Sequence, residues 1–317
     1  MDAPTCAQQS LDVGEPLFGT ATSDVDRWLL LEHDGQWSPD ALESPGIPEP
    51  LRAALRALLA TDKRTRFQLV RGDGESSPTI RAEGARLMIV SALEGQPASW
   101  EVMVKDPSDP AELAGLSLHD FHPARTTPRG ARPRTGPLVL VCTHGRRDPC
   151  CARLGGPVFR ELAKELGREH PGVVWQTSHV GGHRFAANIV LLPHGYHYGR
   201  LDVAAARRVV RGYLAGRLTD LDRLRGRSCY PGDVQAAEFW LRQGAGFYAL
   251  EGLQLKRREV DPDQRVGVTF QDADSGQLHE LLVVRETTRD VASPSCGDPP
   301  KPVVRHRLHS YRHVSAP

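Results

Sequence analysis

No apolar run in the chain approaches the roughly 18 residues needed to cross a bilayer. The opening Met1-Asp2-Ala3-Pro4 lacks the basic and apolar regions of a signal peptide. These two absences predict a cytoplasmic protein with no membrane span. An excess of either charge is missing too: 40 Lys+Arg against 39 Asp+Glu leave a net charge of +1, which gives no reason to expect nucleic acid as a partner. Cysteine is scarce, six in 317 residues, with none between positions 7 and 141. Such uneven clustering points to metal or redox chemistry and away from a disulfide framework. No G-x-G-x-x-G follows a strand, so the chain is expected to bind no nucleotide of its own and to depend on an external reductase.

What is present concentrates in one stretch. Cys142 directly follows the apolar run Leu138-Val139-Leu140-Val141, which reads as a buried strand, so its sulfur belongs to the loop past a strand end. Cys150 and Cys151 come eight and nine residues later. A second β-rich run, Val173-Val174-Trp175-Gln176-Thr177, is closed by His179, and Gly181-Gly182 permits the tight turn that points His183 back. The four donors are therefore expected to gather at one end of one sheet. Two thiolates and two imidazoles suit tetrahedral zinc or an iron–sulfur cluster in which histidines replace two cysteines on one iron. Zinc knuckles usually space their cysteines about two to four residues apart. The wider Cys142 to Cys151 loop suits a larger, two-iron object better.

These residues resemble the sucrase/ferredoxin-like family, a branch of the thioredoxin-like ferredoxins. The resemblance rests on C-T-H-G-R-R-D-P-C-C at 142–151, H-V-G-G-H-R-F-A-A-N at 179–188 and L-P-H-G-Y-H-Y-G-R at 192–200, and covers roughly residues 136–225. It implies a [2Fe–2S] cluster in a thioredoxin-like fold, with Cys142 and Cys151 on one iron and His179 and His183 on the other. Cys150 adjoins the implied ligand and is the alternative to it. The implied function is one-electron transfer, with proton coupling through the imidazoles, between a reductase and an acceptor protein. An electron carrier is expected in preference to a stand-alone enzyme.

The fold class that follows is α/β: a thioredoxin-like ferredoxin domain preceded by a degenerate thioredoxin-like domain, with a small C-terminal α+β appendage. Residues 1–23 read as an extended arm. Residues 24–122 form the companion domain, with strands at 28–31, 67–70, 87–90 and 100–104, a helix from 50 to 59, and a helix start at Asp109-Pro110. Residues 123–137 are a Pro, Gly and Arg-rich linker, read as a solvated connector or as a basic collar that steers an acidic redox partner. The ferredoxin domain spans 138–225, with helices near 156–167 and 202–215. The appendage covers 226–290 and an irregular tail 291–317.

Arg146, Arg147, Asp148 and Arg184 are expected to order the ligand loops or meet a partner, and Asn188 to bond loop backbone. His144, His194 and His197 lie in motif loops, as neighbours of the ligands or as surface proton groups. Cys6, Cys229 and Cys296 are isolated and receive no role. Two rivals remain: a structural or regulatory zinc protein with the same four ligands, and a thiol-disulfide oxidoreductase using Cys142, Cys150 or Cys151. The second lacks the usual C-x-x-C at a helix start. No carboxylate pair has a context for glycoside hydrolysis.

Overall fold

Trp28, Leu29, Leu30 and Leu31 are at most 3% exposed, so the strand carrying them, β1 (Arg27–Glu32), has no solvent face. Alternation sorts them. Trp28 and Leu30 join an apolar cluster with Leu138, Leu140, Cys142, Cys151 and Trp175, whereas Leu29 and Leu31 join another with Trp37, Leu51, Leu55 and Phe121. One sheet is thus covered on both faces.

The computed structural model describes residues 4–72, 84–109, 112 and 117–314. Contacts divide the chain into two units. The first comprises Asp24–Val180 and Ile189–Gly195; the second comprises Met1–Ser23, Gly181–Asn188 and Tyr196–Pro317.

Within the first unit, one arrangement occurs twice. β1 is parallel to β2 (Thr65–Arg71) with helix α2 (Glu49–Thr61) between them in sequence, and β3 (Ala85–Ser91) lies antiparallel on the other side of β1. Likewise β6 (Leu138–Cys142) is parallel to β7 (Val174–Thr177) with α3 (Pro149–Leu166) between them, and β8 (Ile189–Leu192) lies antiparallel to β6. A short antiparallel contact, Val70 with Thr177 and Arg71 with Gln176, joins the halves. With β4 (Ala98–Val104) and β5 (Ala131–Pro133), the strand order is β8-β6-β7-β2-β1-β3-β4-β5. The helix start expected at Asp109-Pro110 lies, from residue 110, outside the described residues.

Three expectations change here. The stretch 123–137 is not a bare connector, since its residues 131–133 pair with β4. Arg134 from the same stretch reaches Glu101 at 3.3 Å and the Gly172 carbonyl at 2.8 Å, so at least this arginine is spent on the fold. The helix expected at 156–167 begins instead at Pro149. The Asp148 carboxylate accepts the Cys150 N–H at 2.8 Å, and Pro149 occupies the first turn, where a missing N–H costs nothing. Gly155, Gly156 and Pro157 are carried inside this helix. At Gly155 the reason is contact: a Cβ there would overlap the Cys142 carbonyl oxygen.

The other unit opens with α1 (Cys6–Asp12), where an extended arm was expected. Thr5 caps it, accepting the Gln8 N–H at 3.2 Å. β9 (Tyr196–Tyr198) pairs antiparallel with β10 (Leu224–Arg227), and α4 (Val203–Leu214) lies between them in sequence. Helix α5 (Gly232–Ala245) then packs Val234, Ala237 and Leu241 against Val268, Phe270 and Leu281 of an antiparallel sheet, β11 (Leu253–Val260), β12 (Val266–Asp272), β13 (Leu278–Ala292) and β14 (Lys301–Val314). The tail expected to be irregular is therefore mostly strand. Its basic residues meet acids across the ladder, Arg307 with Glu286 at 3.0 Å and Arg305 with Asp290 at 2.8 Å. Among the described residues, no helix is long and apolar enough to cross a membrane.

Candidate metal centre

Cys142 is the last residue of β6 and pairs with Thr177, the last of β7. Parallel strands end side by side, so the segment after Thr177 emerges next to Cys142. The Thr143 N–H continues this contact to the Thr177 carbonyl at 3.2 Å. The first turn of α3 supplies Cys151. As a result Sγ of Cys142, Sγ of Cys151 and a ring nitrogen of His179 lie within 4.8 Å of one another. Cys150 is not in this group. Successive helical residues point about 100° apart, so only one of two adjacent cysteines can face the strand end.

Both cysteines of the pair are 1% exposed. Burial alone raises a thiol's pKa, yet Cys142 is held well below the usual range, first by the hydrogen bond it accepts from the Cys151 thiol and then by His179. The same shared proton, together with burial, pushes Cys151 up. Cysteine binds metals deprotonated, so these two buried sulfurs and an imidazole fit a soft metal that would displace the proton between them. Arg66, on β2, adds positive charge beside Cys142. Burial lowers its pKa to about 10, which keeps it a cation at neutral pH.

The backbone of His179 is fixed from below and from the side. Its carbonyl accepts Arg66 Nη2 at 2.9 Å and Gln68 Nε2 at 3.1 Å, and its N–H donates to His144 Nδ1 at 3.2 Å. His144 is 3% exposed, stands edge-on to Trp37 at 5.8 Å, and has its pKa lowered chiefly by burial. Gln68 also accepts the Ser178 hydroxyl at 2.6 Å, and Ser178 Oγ in turn accepts the Leu69 N–H at 3.0 Å. Substituting Gln68→Leu leaves the Ser178 hydroxyl and the His179 carbonyl short of a partner, and about 1–3 kcal/mol of stability is expected to be lost. Denaturant unfolding of the two proteins checks this; a change below a few tenths would contradict the role given to Gln68.

The fourth expected donor, His183, belongs to the other unit. It is 6% exposed and opens the 3-10 turn His183–Phe185, preceded by Gly182 at φ +72°. That positive φ favours glycine, and a Cβ there would also press on the Arg225 guanidinium. Arg225 holds the loop through the Gly181 carbonyl at 3.0 Å and Asn188 Oδ1 at 2.8 Å, while Asn188 Nδ2 donates to the Gly182 carbonyl at 2.9 Å. Arg184 makes a forked pair with the buried Glu15, both oxygens within 2.9 Å of its Nε.

A family described as sucrase/ferredoxin-like matches residues 17–226. This chain belongs to that family. Two curated proteins, both named altered inheritance of mitochondria protein 32, are also similar. The one from Meyerozyma guilliermondii is 33% identical over 98 residues, 29% of this chain and 35% of that protein. The one from Clavispora lusitaniae is 33% identical over 78 residues, 23% of this chain and 29% of that protein. The chain thus spans about a third of the length of these relatives.

In this sucrase/ferredoxin-like chain, the roles expected for Asn188 and Arg184 correspond to what they touch, and Asp148 orders its loop as a helix cap. Arg66, Gln68 and Arg225 were not foreseen. They lie on strands remote from the ligand motifs in sequence, and no local spacing marks them. The helix start at Pro149 had a readable signal, Asp148 as cap with proline in the first turn.

Proposed function

We propose that the chain is a one-electron carrier whose [2Fe–2S] cluster is held by Cys142, Cys151, His179 and His183. The observation that carries this reading is geometric: the sulfurs of the buried Cys142 and Cys151 and a ring nitrogen of His179 lie within 4.8 Å of one another. Membership of the sucrase/ferredoxin-like family supports it. The fourth donor comes from the H-x-x-x-H spacing of His179 and His183. The twice-repeated strand, helix, strand and antiparallel strand pattern supports a thioredoxin-like domain and a degenerate companion. When bound, such a cluster supplies a one-electron couple, at a higher potential than an all-cysteine one because neutral imidazoles replace two thiolates.

The protein's own residues tune that couple. Arg66 opposes the negative charge gathered at Cys142, and Gln68 with His144 fixes the orientation of the His179 segment. Electrons enter from a reductase and leave to an acceptor, both separate proteins, and the proposed place is the cytoplasm.

His179 and His183 would hold one iron of the bound cluster, and their remaining ring N–H groups would link its one-electron couple to a proton where they titrate. The midpoint potential is then expected to fall by about 59 mV per pH unit. Potentiometric titration across neutral and alkaline pH measures this, and a flat profile into strongly alkaline solution contradicts accessible histidine ligands.

A single zinc ion is the second reading, because three donors within 4.8 Å of one another also suit one tetrahedron. A thiol-disulfide enzyme fits less well, since cysteines 1% exposed offer an incoming substrate little access.

A further inference from the structure

Cys6 and Cys296 stand at opposite ends of the chain, yet their sulfurs are 3.5 Å apart. Cys6 begins α1 and is fully buried, whereas Cys296, in the turn between β13 and β14, is partly exposed. The two segments are already docked to each other. The Ser293 N–H donates to Gln9 Oε1 at 3.0 Å, and Arg305 Nη2 donates to the Val13 carbonyl at 2.9 Å. Only about 1.5 Å of sulfur movement separates this contact from a disulfide bond of about 2.05 Å.

We infer that Cys6 and Cys296 are a redox-responsive dithiol that an incoming disulfide of the glutathione class oxidises to an intramolecular bond. The accessible Cys296 thiolate attacks one sulfur of glutathione disulfide, forming a mixed disulfide and releasing one glutathione thiolate. Cys6, deprotonated, then attacks Cys296 Sγ, and the second glutathione leaves. Two thiol protons end on the two glutathione molecules, and the oxidant gains the two electrons the protein gives up. The bond closes a loop between residues 290 positions apart, so its effect on the unfolded chain falls at the large end for disulfides.

The bond would also fix α1, whose end is tied to the His183–Phe185 turn. Glu15 pairs with Arg184 at 2.8 Å, and Ser10 Oγ donates to Glu15 at 2.7 Å. Oxidation is thus expected to slow hydrogen exchange in residues 6–12 and 183–185 together.

The test uses the full chain, incubated with reduced or oxidised glutathione and digested without reduction. The expected products are a peptide cross-linked between Cys6 and Cys296 and an unfolding midpoint higher by about 5 °C. Cys296→Ser removes both effects and is expected to fold, being partly exposed. Cys6→Ser traps glutathione on Cys296. Free thiols at both positions after oxidation, cross-linking of either cysteine to another one, or stoichiometric zinc that keeps both reduced would overturn the inference.

Discussion

Cys151→Ala is expected to abolish iron and sulfide binding, whereas Cys150→Ala leaves both near the level of the unaltered protein. Adjacent in sequence, the two cysteines differ in direction. Cys151 faces the end of β6, its sulfur grouped with Cys142 and His179, while Cys150 stands outside that group. A cluster iron deprived of one thiolate loses a strong bond and must be met by water or by a displaced group. The thiol of Cys142 would then sit buried beside a cavity with no second sulfur to bridge. Cys142→Ala is expected to match Cys151→Ala for the same reason. Iron and acid-labile sulfide assays on the three variants separate the outcomes. Full iron in Cys151→Ala, or its loss in Cys150→Ala, would show that the helix presents the other cysteine.

The second large effect is expected at Gly155. A methyl group at this position overlaps the Cys142 carbonyl oxygen and comes within 3.2 Å of its carbonyl carbon. Both obstacles are backbone at a strand end, which cannot rotate away as a side chain would. Helix α3 must retreat, and it carries Cys151 with it. Alanine improves helix propensity by about 1 kcal/mol over glycine, but overpacking of this kind costs roughly 1–3 kcal/mol and sometimes more. The collision wins, and Gly155→Ala is expected to lose stability and metal together. Gly156→Ala is the control. Its nearest neighbour is the flexible end of Arg160 at 3.6 Å, so only the propensity gain remains, up to about 1 kcal/mol. Denaturant unfolding with iron content read on the same samples checks both; a Gly155→Ala protein as stable and as loaded as the unaltered one would contradict the close packing.

The strands around Leu30, Val70, Ile89 and Val141 were legible because unbroken apolar runs have few other places to go in a protein of this size. The approach of Cys142, His179 and the Cys150-Cys151 pair was legible for a different reason: each follows such a run or precedes a helix, so strand ends locate the donors, whereas which of the two adjacent cysteines faces the strand end was not legible. Local signals misled where packing overrides them. Gly155, Gly156 and Pro157 read as a helix boundary, yet the helix passes through them because the Cys142 carbonyl demands a residue without a side chain. The tail with Arg305, Arg307 and Arg312 read as irregular because its charges hide a strand. The acids that answer them, Asp290, Glu286 and Glu280, lie on β13 and become neighbours only after the hairpin forms. The contact of Cys6 with Cys296, across nearly the whole chain, leaves no trace in spacing.

The central claim is that sulfur from Cys142 and Cys151 and nitrogen from the two histidines bind a diiron cluster. Iron and acid-labile sulfide counted on anaerobically purified protein, alongside its absorption and EPR spectra, test it most directly. The account predicts two irons and two sulfides per chain, a visible absorption that bleaches on reduction, and an EPR signal that appears only in the reduced protein. A colourless protein holding one zinc per chain and no sulfide would contradict it.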